Sequence, residues 1–199
     1  VLESRHLGLM LPEEVDSLKE KMEILSSRLL ETLDLDLILK IASEAGELPE
    51  VSGAQGSGAG CGLRIGLARD EAFCFFYEDN LNFLREQGAE LVEFSPLHDA
   101  ELPQGLSGLL LHGGYPELHV KELSENASMR ESIRRSLEGG LPCMAECGGF
   151  LYLHETMTDM EGKEYPMAGV MRGKAWNTGK LTRFGYITLT GGRVFGRDV

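Results

Sequence analysis

Cysteine is scarce in this chain, and where it occurs it forms no pattern. Cys61, Cys74, Cys143 and Cys147 include no CxxC pair and no His/Cys metal spacing. That argues against a disulfide framework and against a metal site in this segment, and fits reduced thiols in a cytoplasm. Long apolar runs are missing too. None approaches the roughly 20 residues that cross a bilayer, and no signal peptide opens the chain, so no membrane partner is expected. Basic residues are outnumbered, with 19 Lys and Arg against 32 Asp and Glu and a net charge of −13. Nucleic acid is therefore not expected as a partner, because phosphate binding needs a local basic patch. The basic cluster from Arg130 to Arg135 has helical spacing with acids beside it and reads as a solvated helix face. Histidine is sparse, and none follows His154.

What remains is the composition of a soluble globular protein. Of its 199 residues, 42% are hydrophobic and 26% charged, enough for one domain with a proper core plus an appendage. The first residue is Val1, and Arg197-Asp198-Val199 follows directly on a strand-like run. Both ends read as cuts in a longer protein.

Apolar residues at Leu18, Met22, Leu25, Leu29 and Leu33 predict a helix within 12–33, opened by the acidic turn Pro12-Glu13-Glu14. A second short helix is expected over 34–45, capped by Asp34 or Thr32 and stopped by Gly46. Residues 46–62 are rich in Gly, Ser and Ala. The run from Gly53 to Gly62 has the look of a phosphate loop, but it lacks a Gly-Lys-Ser/Thr ending and no apolar strand precedes it. It reads as a flexible linker, with Cys61 an exposed bystander.

From Leu63 onward strands alternate with helices, the signature of a parallel sheet with helices on its faces. Strands are expected at 63–68, 90–94, 108–111 and 142–145, and later at 165–172 and 181–190. Helices are expected at 80–87, closed by Gly88, and at 127–137, ended by Gly139-Gly140. The fold class is α/β, a doubly wound and mostly parallel sheet with flanking helices, preceded by a short helical segment.

Two glycine pairs stand at strand ends, where open parallel sheets gather their ligands. One is His112-Gly113-Gly114-Tyr115. The other is Cys147-Gly148-Gly149, after the apolar run Pro142 to Ala145 and before an apolar helical pattern. Strand, nucleophile, tight turn and helix is the outline of a nucleophile elbow. The free N–H groups of a helix N-terminus favour a thiolate there. Acyl transfer through a thiol also needs N–H donors for the developing oxyanion. Gly148 is the natural first donor, and Gly113 or Gly114 the second. The alternative reading of Cys147 is a core cysteine before a glycine turn.

The segment Ala145-Glu146-Cys147-Gly148-Gly149-Phe150-Leu151-Tyr152-Leu153 resembles the nucleophile segment of class I (triad) glutamine amidotransferases. Further motifs narrow the resemblance: 68–73 (Ala-Arg-Asp-Glu-Ala-Phe) with Asn80-Leu81, 94–99 (Phe-Ser-Pro-Leu-His-Asp) with Leu102-Pro103, and 113–118 (Gly-Gly-Tyr-Pro-Glu-Leu). Together they resemble the glutaminase domain of the cobyrinate a,c-diamide synthase family of cobalamin biosynthesis, over about 63–190. The resemblance implies Cys147 as nucleophile, Gly113, Gly114 and Gly148 at the oxyanion and glutamine site, and glutamine as ammonia source. It implies a corrin or related tetrapyrrole as the amidated substrate, on its a and c carboxylates, and it is compatible with a homodimer. Residues 1–45, from Arg5-His6-Leu7-Gly8-Leu9 through the two helices, resemble the tail of that family's synthetase domain, where ATP and Mg²⁺ would act. On this reading 63–199 is a glutaminase domain incomplete at its C-terminus. The family commonly has a glycine where His112 stands. Its catalytic histidine lies downstream of the Gly-Tyr strand, here Gly185-Tyr186, and the chain holds no histidine there.

The other histidines have no sequence signal aiming them at Cys147. His154, seven residues on, is expected about two turns along the elbow helix and turned away. Each reads as a surface or core histidine, with His112 the one candidate to face the site. Three other functions stay open. One is amidation of a related ring such as nickel sirohydrochlorin. A second is a cysteine hydrolase, which would need a histidine soon after Cys147. The third is a docking module without catalysis.

Overall fold

The computed structural model describes residues 10, 12–47, 62–180, 185–188, 190–194 and 197–198. The expected linker and Cys61 fall largely or wholly outside them. The chain divides into two units, Val1–Gly53 and Ala54–Val199.

In the first unit a 3-10 turn, Pro12–Glu14, precedes helix α1, Leu18–Thr32, and helix α2, Leu35–Ser43. Of the two caps considered for α2, Asp34 serves: its carboxylate accepts the Leu37 N–H at 2.9 Å. Such a cap satisfies one of the donors a helix start leaves unpaired. Neither helix buries a residue, and Leu30, Leu39 and Ile41 are more than 60% exposed.

The second unit is built on four parallel strands: β1 (Arg64–Ala68), β2 (Glu90–Phe94), β3 (Gly108–Leu111) and β4 (Cys143–Ala145), in the order β2-β1-β3-β4. Helices α3 (Glu78–Glu86), α4 (Val120–Glu125) and α5 (Ala127–Glu138) connect them, α4 following a 3-10 turn at Pro116–Leu118. Gly66 pairs with Val92 on one side and Leu109 on the other. The chain thus winds from β1 to one edge and returns to β1's other side, which puts the topological switch between β1 and β3. The core holds Leu109, Leu111, Phe73, Met129, Ile133 and Tyr152, all essentially inaccessible.

After β4 comes α6, Gly148–Tyr152, of only five residues. The expected long elbow helix is therefore corrected. His154 does not ride on it but opens a strand, β5 (His154–Thr158), whose threonines favour extended chain. The expected strand over 165–172 also divides. β6 (Glu164–Pro166) runs antiparallel to β5, and β7 (Met171–Ala175) runs parallel to it, making a second small sheet. Of the expected strand over 181–190, residues 181–184 and 189 lie outside the described residues, while 185–188 are not strand. A short ladder pairs β8 (Arg193–Val194) with β9 (Arg197–Asp198).

Candidate active site

β3 and β4 pair in parallel with Leu111 opposite Ala145. That register fixes the site, because the two glycine segments begin at the next residues on each strand. Cys147 ends the turn with φ 48° and ψ −117°, a left-handed conformation unusual for a non-glycine residue. Strain of this kind persists where the surroundings over-determine the backbone. Here the Glu146 N–H donates to the Leu111 carbonyl at 3.1 Å, and the Gly149 N–H donates to the His112 and Glu146 carbonyls, each at 2.9 Å. The sequence-level elbow is present in geometry.

The two segments touch. A methyl group on Gly113 would stand 3.2 Å from Cys147 Cβ and 3.5 Å from its Sγ. One on Gly148 would stand 2.7 Å from Pro116 Cδ and 3.3 Å from the Gly114 nitrogen. One on Gly149 would collide with the Leu111 carbonyl. Close backbone approach explains glycine at these positions. Gly113, Gly114, Cys147 and Gly148 thus lie close together.

Gly113 pairs with Phe75 in an isolated antiparallel bridge, and its carbonyl accepts the Phe75 N–H at 3.0 Å. Neither the Gly113 N–H nor the Gly114 N–H donates a hydrogen bond among the described residues, so both expected alternatives for the second oxyanion donor beside Gly148 stay open.

The loop 70–75 behind the glycines is tied down by a residue to which sequence reasoning gave no separate role. Asp70 Oδ1 accepts the Ala72 and Phe73 N–H groups at 2.9 and 3.1 Å. Its Oδ2 accepts the Ser95 hydroxyl and the Leu97 N–H at 2.8 and 2.9 Å. A methyl on Gly114 would collide with the Ala72 carbonyl of this loop. Phe73 stacks on Tyr152 of α6 with centroids 5.4 Å apart, and Phe75 meets Tyr115 edge-on at 5.0 Å. The signal was an Asp followed at two and three residues by amides it can accept. Burial pushes the Tyr152 hydroxyl well above its usual range, with Arg130 opposing.

The thiols differ in access. Cys147 is exposed, while Cys74 and Cys143 are half-buried. Desolvation pushes the Cys143 thiol up to about 11. Among the histidines, His98 Nε2 lies 2.9 Å from Glu71, whose carboxyl is held low first by a backbone hydrogen bond and then by His98. His154 Nδ1 lies 3.1 Å from the Phe150 carbonyl. His119 stands at the N-cap of α4, and His6 is outside the described residues. Among the described histidines, His112 alone has its side chain hydrogen-bonded to the residue before Cys147. Its Nδ1 lies 3.1 Å from Glu146 Oε1, its ring is almost fully buried, and its Nε2 has no partner among the described residues.

Residues 64–196 match the CobB/CobQ-like glutamine amidotransferase domain. The chain belongs to that family. It is 43% identical over 185 residues to the cobyrinate a,c-diamide synthase of Listeria innocua, an alignment covering 93% of this chain and 40% of that protein. It is 40% identical over 185 residues to the enzyme of the same name from Dehalococcoides mccartyi, covering 92% and 40%. For that of Caldanaerobacter subterraneus the figures are 39% over 186 residues, covering 94% and 41%. The chain spans about two fifths of the length of these curated relatives. Among the described residues no helix is long and apolar enough to cross a membrane.

Proposed function

We propose that this CobB/CobQ-like domain releases ammonia from glutamine for a cobyrinate a,c-diamide synthase. The contact of Gly113 with Cys147, at the carboxyl ends of the neighbouring parallel strands β3 and β4, carries the reading. In the proposed cycle the Cys147 sulfur attacks the side-chain amide carbon. The N–H groups of Gly148 and of Gly113 or Gly114 receive the oxyanion. Collapse breaks the C–N bond, the leaving nitrogen takes a proton and departs as ammonia, and a γ-glutamyl thioester remains. Water then adds to the thioester carbon, releasing glutamate and returning the proton to sulfur.

None of the described histidines hydrogen-bonds the Cys147 sulfur, and on this reading the base is a histidine of the longer protein. ATP and Mg²⁺ belong, on this reading, to a synthetase domain in the remaining three fifths of the longer protein. There the acceptor would be the a and c carboxylates of the corrin ring. Residues 1–45 would be the end of that domain, 46–62 a linker, and the setting a reducing cytoplasm.

The test is Cys147→Ala in the longer protein. Glutamine-dependent amidation is expected to vanish while synthesis from added ammonia persists. Loss of both together would refute the division between a thiol site and a separate amidating site.

A further inference from the structure

We propose that Glu146, oriented by His112, is the carboxylate that receives the α-ammonium of glutamine. The proposal rests on the glutaminase reading above and deepens it.

Glutamine has two ends. The amide reacts at sulfur, and the far end of a short flexible chain carries an ammonium and a carboxylate. An enzyme that separates glutamine from other primary amides must recognise that far end, and a fixed polar partner discriminates far better than an apolar wall. Glu146 is well placed for it. It is the residue directly before Cys147 at the end of β4, and its side chain is 54% exposed beside an exposed thiol. One of its oxygens, Oε1, faces His112. The other, Oε2, makes no hydrogen bond among the described residues.

His112 is the second observation. An exposed surface glutamate needs no buried imidazole to hold it, and burying an imidazole with one nitrogen unpartnered costs stability. The tautomer with its proton on Nδ1 costs least: Nδ1–H donates to Glu146, and only an acceptor lone pair at Nε2 is left over. The ring is also hemmed by Phe76, centroids 6.3 Å apart, which in turn carries the Arg69 guanidinium 4.5 Å above its face. Arg69 pairs with Glu93 of β2 at 2.6 Å. A buttress thus runs along the carboxyl ends of the strands from β2 through β1 and β3 to the Glu146 carboxylate.

His112 acts here as a positioning residue, with no contact to substrate required of it.

The experiment uses the longer protein to which this chain belongs and reads the rate of Cys147 alkylation, which needs no turnover. Three reagents are compared: the chloroketone analogue of glutamine, chlorolevulinate (the same ketone without the α-amino group), and iodoacetamide. In the unaltered chain the amino reagent should react about tenfold or more faster than chlorolevulinate, the scale of one charged hydrogen bond. Glu146→Gln should bring that ratio to within about twofold. His112→Asn, whose amide can donate where Nδ1 does, should keep most of the preference, and His112→Phe should lose it. A Glu146→Gln variant that retains the full preference overturns the proposal, as does an unaltered chain that does not distinguish the two ketones. If neither ketone outpaces iodoacetamide at Cys147, the glutaminase reading itself falls.

Discussion

Gly113 lies so close to Cys147 that a single added methyl would reach within 3.5 Å of the sulfur. The two residues are 34 apart in the chain, and the parallel register of β3 and β4 brings them together. Gly113→Ala should therefore leave the fold intact yet crowd the thiol. Labelling of Cys147 by the chloroketone analogue of glutamine should slow about tenfold or more, since small misplacements at a reacting centre are costly. Time courses read by intact-protein mass spectrometry would check this.

The conformation of Cys147 leads to a second expectation. With φ at 48° and ψ at −117°, a side chain at this position is strained, at a cost on the order of 1–3 kcal/mol. Cys147→Gly should relieve that strain, partly offset by the greater freedom of glycine in the unfolded chain. It should then be more stable than Cys147→Ala by about 1 kcal/mol in urea unfolding. Equal midpoints would mean that the turn is not strained.

Asp70 carries a third. Its carboxylate holds four donors from two loops. Asp70→Ala leaves those groups unsatisfied and should cost about 2–4 kcal/mol. Asp70→Asn should recover little of that, because its NH₂ would face the Leu97 N–H donor. Denaturant melts of the three proteins separate these outcomes.

Much of this arrangement was legible in sequence. The strands of the four-stranded sheet are short apolar runs bounded by Gly, Pro or Asp, and the glycine pairs sit at their ends. The Glu146–His112 contact was not legible, because it depends on strand order and register, which no local pattern encodes. Once Leu111 is opposite Ala145, it follows from the next step along each strand. The second sheet was misread for a different reason. Its strands have three to five residues, and a tight turn at Leu153 ends α6 inside an apolar run of helical pattern. Helix α4 escaped notice because it ends at Asn126, which caps α5 by accepting the Met129 N–H at 3.3 Å.

Cys143 adds a pH dependence. Its thiol ordinarily ionises near 9.0 and is pushed up to about 11 by burial. Between those values the unfolded chain loses a proton that the folded chain keeps, so alkali favours unfolding. Stability tied to this group is complete below pH 9.0 and should decline as the pH rises toward about 11. Cys143→Ala should flatten that decline. A decline of unchanged slope in the variant would assign the alkaline loss to other groups.

The central claim, that Cys147 is the glutamine-directed nucleophile, is tested most directly by mapping where the chloroketone analogue of glutamine attaches. The reagent should modify Cys147 first, well before Cys61, Cys74 or Cys143, and added glutamine should slow that modification. Labelling that falls on another cysteine, or that glutamine does not slow, would contradict the assignment.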